Sequence, residues 1–327
     1  MKPCFTGLSP VHIKRCALIQ VRLNGRTPAP DPTLRASMRK ITLTHRLEYA
    51  VLITVVFLLR AMPLWMASGL MGWCWRMVAP RLSRQKRAMD HLRLCFPNKS
   101  EDELYRLTLG MWDNLGRTFA ESLLAEKFML AAHDLVEMPE DITDLVERMH
   151  EVGGVIVSLH SGNWELGGVL SAAYGFNCAV IIQKLKNPLV HDFMVSQRGS
   201  TFRGGIFAKG DRAGMRIMNT LKGGILAAVM GDLRDGRGVT IPFFGMPAKT
   251  NQFAALLARQ QNVPLVAVRI LRTDGIHFKL ELTEIDVPRT DDADGDILKG
   301  TMRMTAQFED WIRAHPEQWM WAHKRWS

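Results

Sequence analysis

The apolar run Gly154-Val155-Ile156-Val157-Ser158-Leu159, rich in β-branched residues, constrains the fold of this chain more than any other feature. A run of this length and composition reads as a buried strand, and residues 163–172 behind it read as the start of a helix. His160 therefore stands at a strand-to-helix junction. In open α/β sheets the carboxyl ends of strands line the ligand crevice, so a histidine there is placed to meet a substrate hydroxyl. Glu165, five positions on in the first helical turn, is placed to turn back on one imidazole nitrogen. The other nitrogen is then left to accept a proton from an alcohol, and the carboxylate stabilises the imidazolium that forms. The same residues also admit a structural reading, in which His160 caps the sheet and Glu165 meets the helix N-terminus.

Runs of the same kind recur downstream. Strands are predicted at 155–159, 178–182, 225–230, 239–242, 265–272 and 277–282, interleaved with helices near 165–173, 189–197, 212–221, 252–260 and 297–314. That alternation predicts an α/β fold, a mixed and largely parallel sheet flanked by helices, with the strand that ends at His160 first in it. Between 81 and 148 the pattern is helical, with Arg84, Lys86, Arg87 and Arg93 forming a basic segment.

The N-terminal third differs in character. The chain carries a net charge of +10, but residues 1–100 alone hold +14 and the remainder −4. No zinc-ligand spacing or aromatic RNA-binding signature accompanies the basic residues, so nucleic acid is not the expected partner. They flank residues 49–71 (YAVLITVVFLLRAMPLWMASGLM), an apolar stretch with Arg60 at its centre and Pro63 beyond it, which makes an anionic membrane surface the better fit. The length suffices to span a bilayer, and the central arginine equally suits a helix lying in, or dipping into, the inner leaflet and broken near Pro63. Lys and Arg are abundant on both flanks, so the positive-inside rule selects no orientation. A buried helical hairpin is the third reading. The five cysteines are scattered without a C-x-x-C and read as reduced thiols of a cytosol-facing protein.

Four blocks, taken together and in order, resemble the bacterial lipid A biosynthesis acyltransferases of the lauroyl/myristoyl type, within the lysophospholipid acyltransferase superfamily. They are His160-Ser161-Gly162-Asn163-Trp164-Glu165, the segment 224–250 (GILAAVMGDLRDGRGVTIPFFGMPAKT), the segment 256–269 (LLARQQNVPLVAVR) and the segment 316–326 (PEQWMWAHKRW). The resemblance runs from about residue 48 to the end. Composition, hydropathy and the extent of the resemblance together divide the chain into a disordered basic extension over 1–45, a membrane-anchoring or interfacial helix over 46–80, and an acyltransferase domain over 81–327.

The resemblance further implies that an acyl chain passes from an acyl carrier protein thioester, or secondarily from acyl-CoA, to a hydroxyl of a lipid A precursor. His160 would act as general base and Glu165 would orient it. The thioester is a co-substrate and neither cofactor nor metal is implied. The expected setting is the cytoplasmic face of a bacterial inner membrane. Asn163 caps the following helix or steadies the acyl oxygen, and capping is the commoner use of such a residue. Arg198, with Arg203 close behind, stands where the resemblance places a functional arginine suited to phosphate. Asp232 and Arg325 match charged positions of the family and are expected to bind the acceptor. The usual Asp-Gln is Asp232-Leu233 here, so no role of that glutamine amide carries over. Pro242-Phe243-Phe244-Gly245 either walls an acyl groove or packs in the core. Trp319, Trp321 and Trp326 suggest that the C-terminal segment docks beside the site.

Two rivals share these residues. One is acylation of another membrane lipid, a phospholipid, aminolipid or other glycolipid. The other is a hydrolase or thioesterase using the same base on water. The chain has no G-x-S-x-G elbow, which argues against the serine route. A non-catalytic lipid-binding protein would need no His160–Glu165 pair.

Overall fold

A computed structural model describes residues 41–210, 212–221 and 224–326. Most of the expected N-terminal extension lies outside these residues. Its last residues do not: Thr42 caps a helix by a reciprocal bond with His45, and helix α1 runs Leu43–Arg60. The stretch 49–71 is divided between two helices at the break expected near Pro63, and is not one continuous helix. Pro63, which lacks an amide hydrogen and sits as the N-cap, separates α1 from α2 (Leu64–Val78). Among the described residues no helix is long and apolar enough to cross a membrane.

The chain continues through α3 (Arg84–Cys95), α4 (Glu101–Leu123), α5 (Ala125–Leu135), β1 (Val136–Glu137) and α6 (Thr143–Val152). A capping box joins Ser100 to Glu103, and three acids fill the first turn of α4, favouring its positive N-terminus. Gly116 in α4 lets α2 approach closely, since a Cβ there would lie 2.4 Å from the Met71 carbonyl oxygen. Then follow β2 (Gly154–Gly162), α7 (Leu166–Ala173), β3 (Cys178–Ile182), α8 (Pro188–Gly199), β4 (Gly205–Ala208), α9 (Ala213–Leu221) and β5 (Leu226–Met230). The chain closes with β6 (Arg234–Phe243), β7 (Met246–Thr250), α10 (Phe253–Gln261), β8 (Leu265–Asp274), β9 (His277–Glu284) and α11 (Ala293–Ala314).

Seven strands form one sheet in the order β1-β9-β8-β2-β5-β3-β4. Only the β8–β9 pairing is antiparallel, so the expected mixed, largely parallel sheet is present. Two expectations are corrected. The short β1 precedes β2, because two extended residues after α5 suffice to pair with β9. The strand expected at 239–242 belongs to a separate hairpin of β6 and β7. Phe244 and Gly245 at its tip both have positive φ, 55° and 74°, the backbone of a tight two-residue connection.

The catalytic-candidate strand β2 lies at the centre of the sheet, and its alternation divides the molecule. Val155, Val157 and Leu159 are wholly buried in a core with Leu257 and Ala258 of α10 and Phe308 and Ile312 of α11. Ile156, Ser158 and His160 fall on the opposite face, which α5, α6 and α7 cover.

Candidate active site

His160 emerges at the carboxyl end of β2, next to the end of β5, and Asp232 lies two residues beyond β5. This adjacency lets one buried carboxylate take three hydrogen bonds. Asp232 Oδ2 accepts from the His160 amide at 2.8 Å and from the Trp319 indole at 2.9 Å; Oδ1 lies 2.8 Å from His160 Nδ1. Burial alone would raise the carboxyl pKa, but the charge and hydrogen bonds of His160 outweigh it and hold the group well below the usual carboxylate range. Ionised, Asp232 accepts a proton bond from Nδ1–H, which leaves Nε2 as the basic nitrogen.

The expectation for Glu165 is therefore corrected: the carboxylate on the imidazole is that of Asp232. Glu165 stands at the N-cap of α7 and faces α8, where Arg198 grips it by Nη2–Oε1 at 2.6 Å and Nε–Oε2 at 3.2 Å. Neighbouring parallel strands bring Asp232 to His160, whereas the turn through Gly162 carries Glu165 toward α8. No spacing in a single segment encodes the first of these juxtapositions.

Asn163 is buried and used on both sides. Its side-chain oxygen accepts from the Glu165 amide at 3.1 Å, a capping contact, and its amide donates to Glu121 Oε2 at 2.6 Å. The acyl-oxygen alternative is not favoured, because Asn163 is buried behind the turn and does not line the cavity that opens beside His160. Arg325 is also turned inward, at 2% exposure. It donates to the Lys249 carbonyl and to Thr250 Oγ1 at 2.9 and 2.8 Å, and its guanidinium lies 4.7 Å from the Phe243 ring centroid. Burial brings its pKa down to about 10. An acceptor contact was expected of Arg325, and the aromatic cluster into which the tail folds explains why the structure gives it a scaffold position instead.

Phe243 and Phe244 belong to that cluster, packed with Trp319, Trp321 and Trp326. They are core, and the groove expected there lies elsewhere. The tail does dock beside His160, with Ser161 bridging Trp319 and the Met320 amide donating to the His160 carbonyl at 3.0 Å. Docking brings His323 within 4.7 Å of His160, centroid to centroid. Burial first, then the neighbouring His160, lowers the His323 pKa to about 4, so it is neutral near pH 7.

On the free side of His160 opens a cavity of about 320 Å³. His160, Trp164, Glu165 and Arg198 line one part of it, and Ile156, Val180, Ala228, Val268 and Leu280 extend it along the sheet. Arg198, and not Arg203, reaches this lining. The arrangement offers an oriented base, an ion pair with an anion-seeking arginine and a long apolar chamber in one space. Such a site is fitted to remove a proton from a polar headgroup while an aliphatic chain lies sheltered.

Two groups behind the turn escape sequence reading. Glu121 and Arg272 form a buried bidentate pair at 2.6 and 2.8 Å. The available signal is Glu121 itself, an acid in the apolar stripe of α4 that otherwise includes Leu104, Met111 and Thr118.

A sequence model of the family described as bacterial lipid A biosynthesis acyltransferase matches residues 37–327 of the chain. A search among curated proteins gave no match.

Proposed function

The chain belongs to the bacterial lipid A biosynthesis acyltransferase family, and we propose that it moves a fatty acyl chain from an acyl carrier protein thioester to a hydroxyl of a lipid A precursor. The observation that carries this reading is His160, fixed through Nδ1 by a buried carboxylate and opening onto a long apolar cavity. The acceptor hydroxyl gives its proton to Nε2 as its oxygen attacks the thioester carbonyl. The tetrahedral intermediate collapses, the C–S bond breaks and the thiolate takes the proton back from the imidazolium. Asp232 balances the imidazolium charge throughout. The acyl chain occupies the cavity, and Arg198, paired with Glu165, offers a guanidinium for a phosphate of the glycolipid or of the carrier's arm. Acyl-CoA is the second candidate donor.

An inner-membrane setting on the cytoplasmic face is supported by α1 and α2. They expose the apolar side chains Leu47, Val51, Phe57, Trp65, Leu70 and Trp73, which suit the interfacial region of a membrane. The test is mass spectrometry of lipid A from cells lacking the gene. Loss of one acyl chain, restored by the wild-type gene and not by His160→Ala, is expected. Unchanged lipid A with altered acylation of another membrane lipid would move the acceptor to that lipid and overturn the assignment.

A further inference from the structure

The segment between His160 and Glu165 is held by a polar assembly with no part in proton transfer. At its centre is Glu121, whose carboxylate is fully buried and takes four donors. Oε1 accepts from Ser68 Oγ at 2.6 Å and from Arg272 Nη1 at 2.6 Å; Oε2 accepts from Arg272 Nη2 at 2.8 Å and from Asn163 Nδ2 at 2.6 Å. Arg272 is satisfied in turn, by Asn114 Oδ1 at 2.9 Å and the Gly275 carbonyl at 2.7 Å. A buried ion pair of this kind is often no more stabilising than a well-packed apolar pair, so its presence asks for a reason other than stability.

The reason lies in what it touches. Gly162 has φ +58°, and a Cβ there would come within 1.9 Å of the Ile270 carbonyl oxygen, so the chain turns sharply against β8. The Gly162 carbonyl accepts from Asn114 Nδ2 at 2.9 Å and from Thr118 Oγ1 at 3.1 Å. Asn163 then hangs between two fixed points, Glu121 on one side and the Glu165 amide on the other. The Gly162 carbonyl and the Asn163 side-chain amide are thus tied to α4, and the Asn163 backbone amide donates to the Ile270 carbonyl of β8 at 3.0 Å.

We propose that Glu121, paired with Arg272, is a positioning residue of this enzyme: through Asn163 it sets the turn that fixes His160 and Glu165 relative to the cavity. The effect reaches further, because Ser68 belongs to α2. The helix whose other side exposes Trp65 and Leu70 shares a carboxylate oxygen with the catalytic turn. Displacement of the turn by a fraction of an ångström suffices to slow a reaction that depends on alignment.

The kinetic arm of the test rests on the proposed function; a second arm does not. Three full-length variants are compared with wild type: Asn163→Ala, which leaves the ion pair intact, Glu121→Gln and Glu121→Asp. With acyl carrier thioester and lipid A precursor, Asn163→Ala is expected to lower kcat by about ten- to a hundredfold while KM for either substrate changes by less than about threefold. Glu121→Asp keeps the charge beside Arg272 but withdraws it from Asn163, so it should recover the melting temperature lost in Glu121→Gln without recovering kcat. The independent arm maps, by mass spectrometry, the rate at which diethyl pyrocarbonate modifies His160, with the exposed His277 as internal reference. Loosening the turn should change the His160 rate severalfold and leave His277 unaltered. A folded Asn163→Ala protein with wild-type kcat and wild-type His160 reactivity overturns the proposal, as does Glu121→Asp recovering both stability and kcat. If wild type fails to acylate lipid A, the proposed function falls, and the His160 reactivity still decides this inference.

Discussion

Replacing Asp232 by asparagine separates the orienting carboxylate from everything else in the site. Oδ2 receives two donors, the His160 amide and the Trp319 indole, and Oδ1 faces Nδ1 alone. An asparagine oxygen serves best in the Oδ2 position, where it satisfies both fixed N–H groups. Its NH2 then points at Nδ1, and the imidazole responds by carrying its own proton on Nε2. The nitrogen facing the cavity becomes a donor and ceases to be a base. Loss of the charge-assisted bond alone removes about 1.5–3 kcal/mol, roughly ten- to a hundredfold, and the wrong tautomer brings the total to about 10³–10⁴ in kcat. KM for each substrate should move by less than about threefold, since no binding group has gone. Steady-state transfer with donor and acceptor varied separately, on protein whose melting temperature stays near that of wild type, makes the measurement. A folded Asp232→Asn enzyme retaining kcat within about fivefold of wild type would refute the assignment of Asp232 as orienter.

Other parts of the structure make sharp predictions of their own. Arg325→Ala removes two buried hydrogen bonds and a stacked guanidinium, so it should lower unfolding stability by about 2–4 kcal/mol in denaturant melts while the acceptor KM of folded protein changes less than about threefold. A large acceptor KM effect without loss of stability would return Arg325 to the binding site. Ala228→Leu intrudes on the cavity wall, and kcat/KM for the longest accepted acyl donor should fall by about tenfold or more relative to a donor several carbons shorter; equal losses for both would place the chain elsewhere. His323, with a pKa lowered from 6.5 to about 4, binds its proton more readily in the unfolded chain, so its contribution is full above about pH 6.5 and is lost as pH falls toward 4. Melting temperature should therefore decline less over that window in His323→Gln than in wild type, and parallel declines would contradict the assignment.

The sequence made the sheet legible because each central strand is a dense apolar run and each following helix carries its own period. β2, β3, β5 and β8 fall on dense apolar runs, and β9 shows through the alternation of Phe278, Leu280 and Leu282 with polar residues. β1 and β4 were not legible, since two- and four-residue edge strands are defined by a neighbour rather than by a pattern. His160 could be read from its place after a strand. Its partner could not: Glu165 lies near in sequence, but Asp232 lies near in space, and only the β2–β5 pairing makes that distinction. The aromatics of the C-terminal segment were legible as a docking element, whereas Arg325 within it read as an acceptor contact. Burial of an arginine depends on acceptors such as Lys249 and Thr250 that come from a distant hairpin. Glu121 left only the faint trace of an acid on an apolar stripe, and its partner Arg272 left none.

The most direct test uses purified full-length protein, an acyl carrier protein thioester and a lipid A precursor, with products weighed by mass spectrometry. Wild type should add a single acyl chain to the precursor and release the carrier thiol in equal amount. Folded His160→Ala should do so about 100- to 10,000-fold more slowly, the usual consequence of removing a general base. Equal rates from the two proteins would contradict the account at its centre.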